Sequence, residues 1–212
     1  MTRPIVIAID GPAASGKGTL ARRLAAAFNL PYLDTGLLYR AVARRVLDRG
    51  GDPADPAASA EQARTLGRLD LERGDLRTPE VDRAASAVAS IKPVRAALLD
   101  FQRRFADASG AVLDGRDIGT IVFPAADVKL FVTASLDVRA KRRHLERLAH
   151  GIDPGYDSVR AELAARDAAD RARAAAPLMQ AEDALLLDTS EMDADHAFTA
   201  AADLVNKVLA RG

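Results

Sequence analysis

Pro4-Ile5-Val6-Ile7-Ala8-Ile9 runs into Asp10-Gly11-Pro12-Ala13-Ala14-Ser15-Gly16-Lys17-Gly18-Thr19, and the residues from there to Phe28 are rich in Ala, Leu and Arg. A short β-branched run, a Gly/Pro turn and a helix-forming segment read as strand, turn, helix. Gly11 to Lys17 fits the G-x-x-x-x-G-K core of a phosphate-binding loop. With glycine near 7% of residues, its three fixed positions arise by chance in about six chains of this length per hundred. Position therefore carries the reading: the match follows a strand directly and enters a helix. There, glycines let consecutive backbone N–H groups converge on a polyphosphate, the helix N-terminus adds partial positive charge, and Lys17 can reach the β and γ oxygens. A nucleoside triphosphate site of Gly11, Pro12, Ala13, Ala14, Ser15, Gly16, Lys17, Gly18 and Thr19 is expected, with an ordinary strand-to-helix turn as the alternative. The hydroxyl usual after the lysine is displaced, since Gly18 stands there and Thr19 follows. No metal ligand is therefore assigned.

The same alternation recurs outward along the chain. Tyr32-Leu33 leads into a helix from about Thr35 to Leu47, Ala111 to Leu113 is a third apolar run, Val128 to Val132 precedes a helix from Ser135, and Ala184 to Leu187 precedes a helix from about Ala194. Five short buried strands alternating with helices predict an α/β fold: a five-stranded parallel sheet covered by helices on both faces. Some connections are too long for simple crossovers, so extra helical pieces are expected at about residues 58–109 and 135–175. Gly50-Gly51-Asp52-Pro53-Ala54-Asp55-Pro56 reads as a loop.

The 212 residues carry 30 Lys+Arg against 30 Asp+Glu, with no cysteine. Disulfides and thiolate metal sites are excluded, and zero net charge argues against a nucleic-acid or acidic-membrane binder. Only five of the 30 basic residues are lysine (17, 92, 129, 141 and 207), so 25 are arginine. No apolar run approaches the roughly 18 residues of a membrane span, and the N-terminal stretch shows no cleavage site. A cytoplasmic protein is expected.

Local clusters must then serve any phosphate chemistry. Leu33-Asp34-Thr35-Gly36-Leu37-Leu38-Tyr39-Arg40 puts a hydroxyl, a glycine and an arginine at a strand end, where open α/β sheets bind ligands. Thr35 reads equally as a helix N-cap. Asp114-Gly115-Arg116-Asp117 places two carboxylates around an arginine in a glycine turn, either a structural ion-pair knot or a substrate site. Asp137 to Arg147 opens a helix with an excess of cations, and helical spacing sets Arg139, Arg142 and Arg143 on one side, with Val138 and Leu145 free to pack elsewhere. A solvated face is the bland alternative, especially for Lys141 and Arg147.

Taken in order, these motifs resemble the bacterial cytidylate kinases, a family of P-loop nucleoside monophosphate kinases. The resemblance spans nearly the whole chain: Gly-Pro-Ala-Ala-Ser-Gly-Lys-Gly-Thr (11–19), Leu-Asp-Thr-Gly-x-x-Tyr-Arg (33–40), Ala-Ala-Ser-x-Val-Ala (84–89) with Val94-Arg95, Asp-Gly-Arg-Asp (114–117), and Arg-Asp-x-x-Asp-Arg-x-Arg (166–173) before Ala176-Pro177-Leu178. It implies one kinase domain over residues 1–212, with a core of about 1–40, 110–135 and 176–212, an acceptor-binding insertion at about 41–109 and a lid region at about 136–175. It also implies transfer of the ATP γ-phosphoryl group to CMP or dCMP with Mg²⁺, without nucleic-acid or membrane partners, in a chain expected to be a monomer. By the same resemblance Ser86, Arg95 and Asp117 hold the cytosine ring, and Arg40, Arg116 and Arg173 bind the acceptor phosphate. Arg166 and Asp170 lie near the sugar and Thr35 beside the substrate, while Lys17, Arg116, Arg139 and Arg142 serve the transfer itself.

One departure stands out: the chain between Arg40 and Ser86 is shorter than the family pattern and leaves little room for a small antiparallel sheet. Kinases for UMP, dTMP or AMP share the phosphate loop but not the motifs at 114–117 and 166–173. A nucleotide-switched binding protein would not need three separate acceptor-side arginine motifs. His144, His150 and His196 are expected at the surface, Glu182, Asp183, Asp193 and Asp195 as solvated or capping residues, and Leu98, Phe101 and Phe105 as a core stripe.

Overall fold

The computed structural model describes residues 4–107 and 109–210. Met1, Thr2 and Arg3, the start of the stretch read for a leader, lie outside them. Five strands form one sheet in the order β2-β3-β1-β4-β5, with β1 Val6–Asp10, β2 Tyr32–Asp34, β3 Ala111–Gly115, β4 Val128–Thr133 and β5 Leu185–Asp188. β1 pairs in parallel with β3 (Asp10 opposite Gly115) and with β4 (Asp10 opposite Phe131), and β4 pairs in parallel with β5. The α/β parallel-sheet reading is borne out, each strand lying within two residues of its expected place. Ile7, Ile9, Val112, Leu130 and Val132 are essentially inaccessible and join Leu20, Leu24, Ala201 and Val205 in one core. That core joins the sheet to α1 Lys17–Ala27 and α9 Ala194–Leu209.

The chain divides into two compact units. Residues 1–32 and 109–212 make the sheet unit, and Leu33–Ala108 make the other. Beyond the end of β2, the described part of the second unit is helix and turn: α2 Thr35–Asp48, α3 Pro56–Arg64, α4 Arg68–Leu71, α5 Pro79–Val88 and α6 Lys92–Asp107. Among the described residues, helix and turn stand where the sequence left little room for an antiparallel sheet. Local chemistry explains their starts. Asp55 accepts from Ala57 and Ala58 N–H ahead of Pro56, and Thr78 accepts from Val81 N–H ahead of Pro79. The buried stripe of α6 is Val94, Leu98, Gln102 and Ala106. Phe101 and Phe105 are only half-buried, so of the expected core stripe Leu98 alone is fully inside.

In the sheet unit, α7 Leu136–Ala149 and α8 Tyr156–Ala172 pack on each other, and Ser135 caps α7 through Val138 N–H. No helix among the described residues is long and apolar enough to cross a membrane.

Candidate functional site

The phosphate loop is shaped by close packing at its start. Gly11 has φ +153°, and a Cβ there would lie 2.0 Å from the Val132 carbonyl oxygen. Only glycine lets β1 leave the sheet this near to β4. Ala14 (φ +60°) and Gly16 (φ +89°) then turn the chain into α1, which has no side-chain cap. Lys17 is buried and donates to the Pro12 carbonyl at 3.2 Å, so its ammonium lies folded back over the loop. Ser15 is wholly buried, and its hydroxyl has no partner among the described residues. Thr19 is exposed. At Gly18 a Cβ would stand 3.6 Å from the Tyr32 hydroxyl and 3.7 Å from Asp114 Oδ2, an ordinary contact. The carboxylate near Gly18, Asp114, accepts from the Tyr32 hydroxyl at 2.7 Å.

The arginines of α7 differ in fate. Arg139 is 4% exposed; it pairs with Asp167 of α8 at 2.7 Å and donates to the carbonyls of Ala134 at 2.8 Å and Ala13 at 3.3 Å. Leu145, by contrast, is 55% exposed. Val138 is half-buried, so of the two apolar residues expected to pack elsewhere Leu145 is the one that does not, while Arg139 goes inside because a guanidinium with a carboxylate and two carbonyl acceptors can be buried. Arg142 donates to Thr189 Oγ1 at 3.0 Å and to the carbonyls of Thr189 at 2.8 Å, Met192 at 3.1 Å and Ser15 in the phosphate loop at 3.5 Å, and burial lowers its pKa. Arg143 pairs with Glu146 at 3.2 Å, Arg147 with Glu162 at 2.7 Å, and Lys141 is exposed.

Beside Arg142 lies a cavity of about 230 Å³ between the phosphate loop and the start of α9, with Leu20, Val132, Met192 and Ala197 as apolar wall. The sequence reading missed it. Thr189 follows the carboxyl end of β5, where open sheets bind ligands, and that rule was the available signal.

At the end of β3, Arg116 donates through Nε to Asp170 Oδ2 at 2.9 Å and through Nη1 to the Gly115 carbonyl at 3.2 Å. Arg173 pairs with the other oxygen of Asp170. An ion-pair knot exists, but its carboxylate comes from α8 rather than from within Asp-Gly-Arg-Asp. Burial alone would raise the Asp170 pKa; Arg116, Arg173 and Arg166 outweigh it and hold the group below the usual carboxylate range. Asp117 is 5% exposed. Its carbonyl accepts from Ile121 and Val122 N–H, opening a π-helical turn over Ile118–Val122.

The first two donors of that turn go elsewhere. Asp10 Oδ1 accepts from Ile118 N–H and Oδ2 from Gly119 N–H, both at 2.8 Å. Burial outweighs these bonds and lifts the Asp10 pKa to about 7. The sequence reading took Asp10 only as turn punctuation.

In the helical unit, Arg40 pairs with Asp82 at 2.6 Å and reaches the Leu76 carbonyl at 3.4 Å. Ser86, one turn further along α5, donates to the Asp82 carbonyl at 3.3 Å. Arg95 donates to the Ala89 carbonyl at 3.2 Å and lies 5.6 Å from the centre of the Tyr39 ring. Thr35 is buried, but Asp34 holds the N-cap position of α2 and Thr35 is its first helical residue. The structure thus gathers Arg40, Asp82 and Ser86 in this unit, and Arg116, Asp170 and Arg173 in the sheet unit.

Two minor expectations also change. His144 is half-buried rather than at the surface, stacked edge-on to Tyr156 with rings 6.3 Å apart. Asp183 is not simply solvated but pairs with Lys129 at 2.8 Å. Asp193 caps α9 as expected, through Asp195 and His196 N–H. No group of three or more His, Cys, Asp or Glu able to hold a metal occurs among the described residues.

Comparison with known proteins gives this geometry its context. The chain is 95% identical over 212 residues to a cytidylate kinase of Acidiphilium cryptum (strain JF-5), all of both chains being covered. It is 61% identical over 203 residues to a cytidylate kinase of Granulibacter bethesdensis, covering 96% of this chain and 97% of the relative. Among solved structures, a gluconokinase from Sinorhizobium meliloti 1021 matches with a TM-score of 0.50 and 16% identity, over 100% of this chain and 99% of the other, and shows a shared fold. The family model described as cytidylate kinase matches residues 7–207, and the chain belongs to the cytidylate kinase family.

Proposed function

We propose that this kinase transfers the γ-phosphoryl group of ATP to CMP and dCMP, giving CDP and dCDP, and that it works in the cytoplasm as a monomer. The observation that carries the reading is the buried carboxylate of Asp117 beside Arg116 at the end of β3. A carboxylate accepts from the exocyclic amine of cytosine and meets only an acceptor in uracil. A buried hydrogen bond of this kind can discriminate by about 10⁴ to 10⁵ in favourable cases.

On the donor side, the backbone of residues 11–19 and Lys17 bind the ATP phosphates, and the cavity at Thr189 and Met192 takes the base. Arg142, which reaches the phosphate loop at the Ser15 carbonyl as well as Thr189 and Met192, serves the transfer from beside that cavity. Arg139 reaches the phosphate loop through Ala13, and exchanging Asp167 for a transferring oxygen would put its charge where the barrier is set. On the acceptor side, Arg116 and Arg173 exchange Asp170 for phosphate oxygens, with Arg166 and Asp170 at the sugar. Within the helical unit, Arg40 exchanges Asp82 for phosphate, Ser86 and Arg95 serve the base, and Thr35 serves the substrate. Guanidinium suits this work because its planar fork holds two oxygens at once. An arginine at a transferring phosphoryl group is worth about 10³ to 10⁵ in rate, roughly 4 to 7 kcal/mol. The acceptor is already an anion, and no residue is assigned as general base.

The donor set fits Mg²⁺, which keeps several waters and needs only one or two carboxylates besides substrate phosphates. Asp114, beside Gly18, would be the residue to hold it. Bound there, the ion would neutralise charge on the donor phosphates.

Asp117→Asn tests the base assignment. The kcat/KM ratio of UMP to CMP is expected to rise by at least about tenfold, and an unchanged ratio would show that Asp117 does not read the base.

A further inference from the structure

The carboxylate of Asp10 belongs to none of the roles above, yet its position is unusual. Its backbone closes β1, directly before Gly11, and is registered between Gly115 of β3 and Phe131 of β4. Its side chain crosses to the turn that follows Asp117 and satisfies two consecutive N–H groups there, one with each oxygen, at 2.8 Å. The first N–H groups of any helical turn lack partners within it. In α3, α5, α7 and α9 a neighbouring residue supplies the cap; here the N-cap residue Asp117 makes no side-chain cap bond. Asp10 does the capping instead, from the end of β1.

The turn is also closely packed. A Cβ at Gly119 would meet Asp10 Oδ2 at 3.4 Å and the Lys129 stem at 3.1 Å. The Lys129 ammonium is itself anchored to the Pro124 carbonyl at 2.6 Å and to Asp183. The turn is held between a carboxylate rooted in the phosphate-loop strand and a lysine rooted in β4.

We infer that Asp10 is a positioning residue for the acceptor: by fixing the turn at Ile118–Gly119 it sets where Arg116 and Asp117 stand relative to the phosphate loop, and so governs CMP binding and base choice rather than ATP binding. The inference rests on the reading of Arg116 and Asp117 as acceptor-binding residues. Asp10→Asn keeps the size but faces one of the two N–H groups with an amide NH2, a donor. Asp10→Glu keeps both acceptors and shifts them by one methylene, and should fall between wild type and Asp10→Asn.

The test is steady-state kinetics with calorimetric binding of CMP and of ATP to each variant. For Asp10→Asn, KM and Kd for CMP should rise about tenfold or more, those for ATP should change less than about twofold, and the CMP/UMP ratio of kcat/KM should fall. Equal losses for ATP and CMP would overturn the inference, as would unchanged CMP binding. Failure of both variants to fold would overturn it too, by assigning the carboxylate to the sheet rather than to the acceptor loop. Asp117→Asn, measured alongside, separates the two claims. A change there with none in Asp10→Asn sinks only the positioning role, whereas no change in Asp117→Asn sinks the base reading itself.

Discussion

The sheet unit and the helical unit hold their charged side chains in different ways. In the first, Arg139 is clamped by a buried carboxylate and two carbonyls, Arg142 by a hydroxyl and three carbonyls, and Asp10 by two backbone N–H groups. In the second, many cations are held by other side chains: Arg44 by Asp48, Arg73 by Asp48 and Asp75, and Arg77 by Asp34, with the carboxylates partly open to solvent. Backbone acceptors at strand ends cannot move without moving the sheet, whereas exposed ion pairs cost little to exchange. The sheet unit thus fixes these side chains largely on backbone groups, while the helical unit holds many of its arginines on carboxylates they can exchange, with the largely buried pair of Arg40 and Asp82 as the exception.

This contrast can be broken, and the largest effect should come from chemistry at the pre-built site. Lys17→Met is expected to lower kcat by about 10² to 10³ by removing charge stabilisation at the donor phosphates. The fold should survive, which circular dichroism would confirm; a loss below tenfold would contradict the role of Lys17. Next comes Asp167→Ala, which leaves Arg139 buried without its carboxylate and should cost about 3 to 5 kcal/mol in urea unfolding.

A third test uses pH. The Asp10 pKa is raised from 3.8 to about 7 in the folded state, so between those values the folded chain binds the extra proton. Stability from this group therefore falls as pH rises through that window and is regained on acidification. Relative to Asp10→Asn, the wild type should gain about 2 to 3 kcal/mol on going from about pH 8 to about pH 5. A pH-independent difference would show that the carboxylate is not buried in this way. The smallest effect is expected at Asp75→Ala, where Arg73 loses one of two exposed partners: under about 1 kcal/mol, falling further with salt. Should Asp75→Ala cost as much as Asp167→Ala, the two units are not held differently.

What was legible in the sequence follows the same division. Strands buried on both faces read as short β-branched runs, and glycine marks where β1 and β3 must turn, so the sheet and the phosphate loop could be placed from residues 4–19 and 111–117. Helical periodicity showed that Arg139 and Arg142 share a side of α7 but not that this side faces inward, because burial of Arg139 depends on Asp167, which lies 28 residues away. The role of Asp10 was hidden for the same reason: its partners lie 108 and 109 residues on. Thr189 and the cavity beside it carry no motif at all. The helical character of α3 to α6 was only half legible, since the chain length left little room for a sheet while the helix packing rests on contacts no local pattern shows.

The central claim is most directly tested by ADP release with ATP and a panel of CMP, dCMP, UMP, dTMP and AMP as acceptors. The account predicts fastest turnover on CMP and dCMP; turnover on none of the five, or fastest turnover on UMP or dTMP, would contradict it.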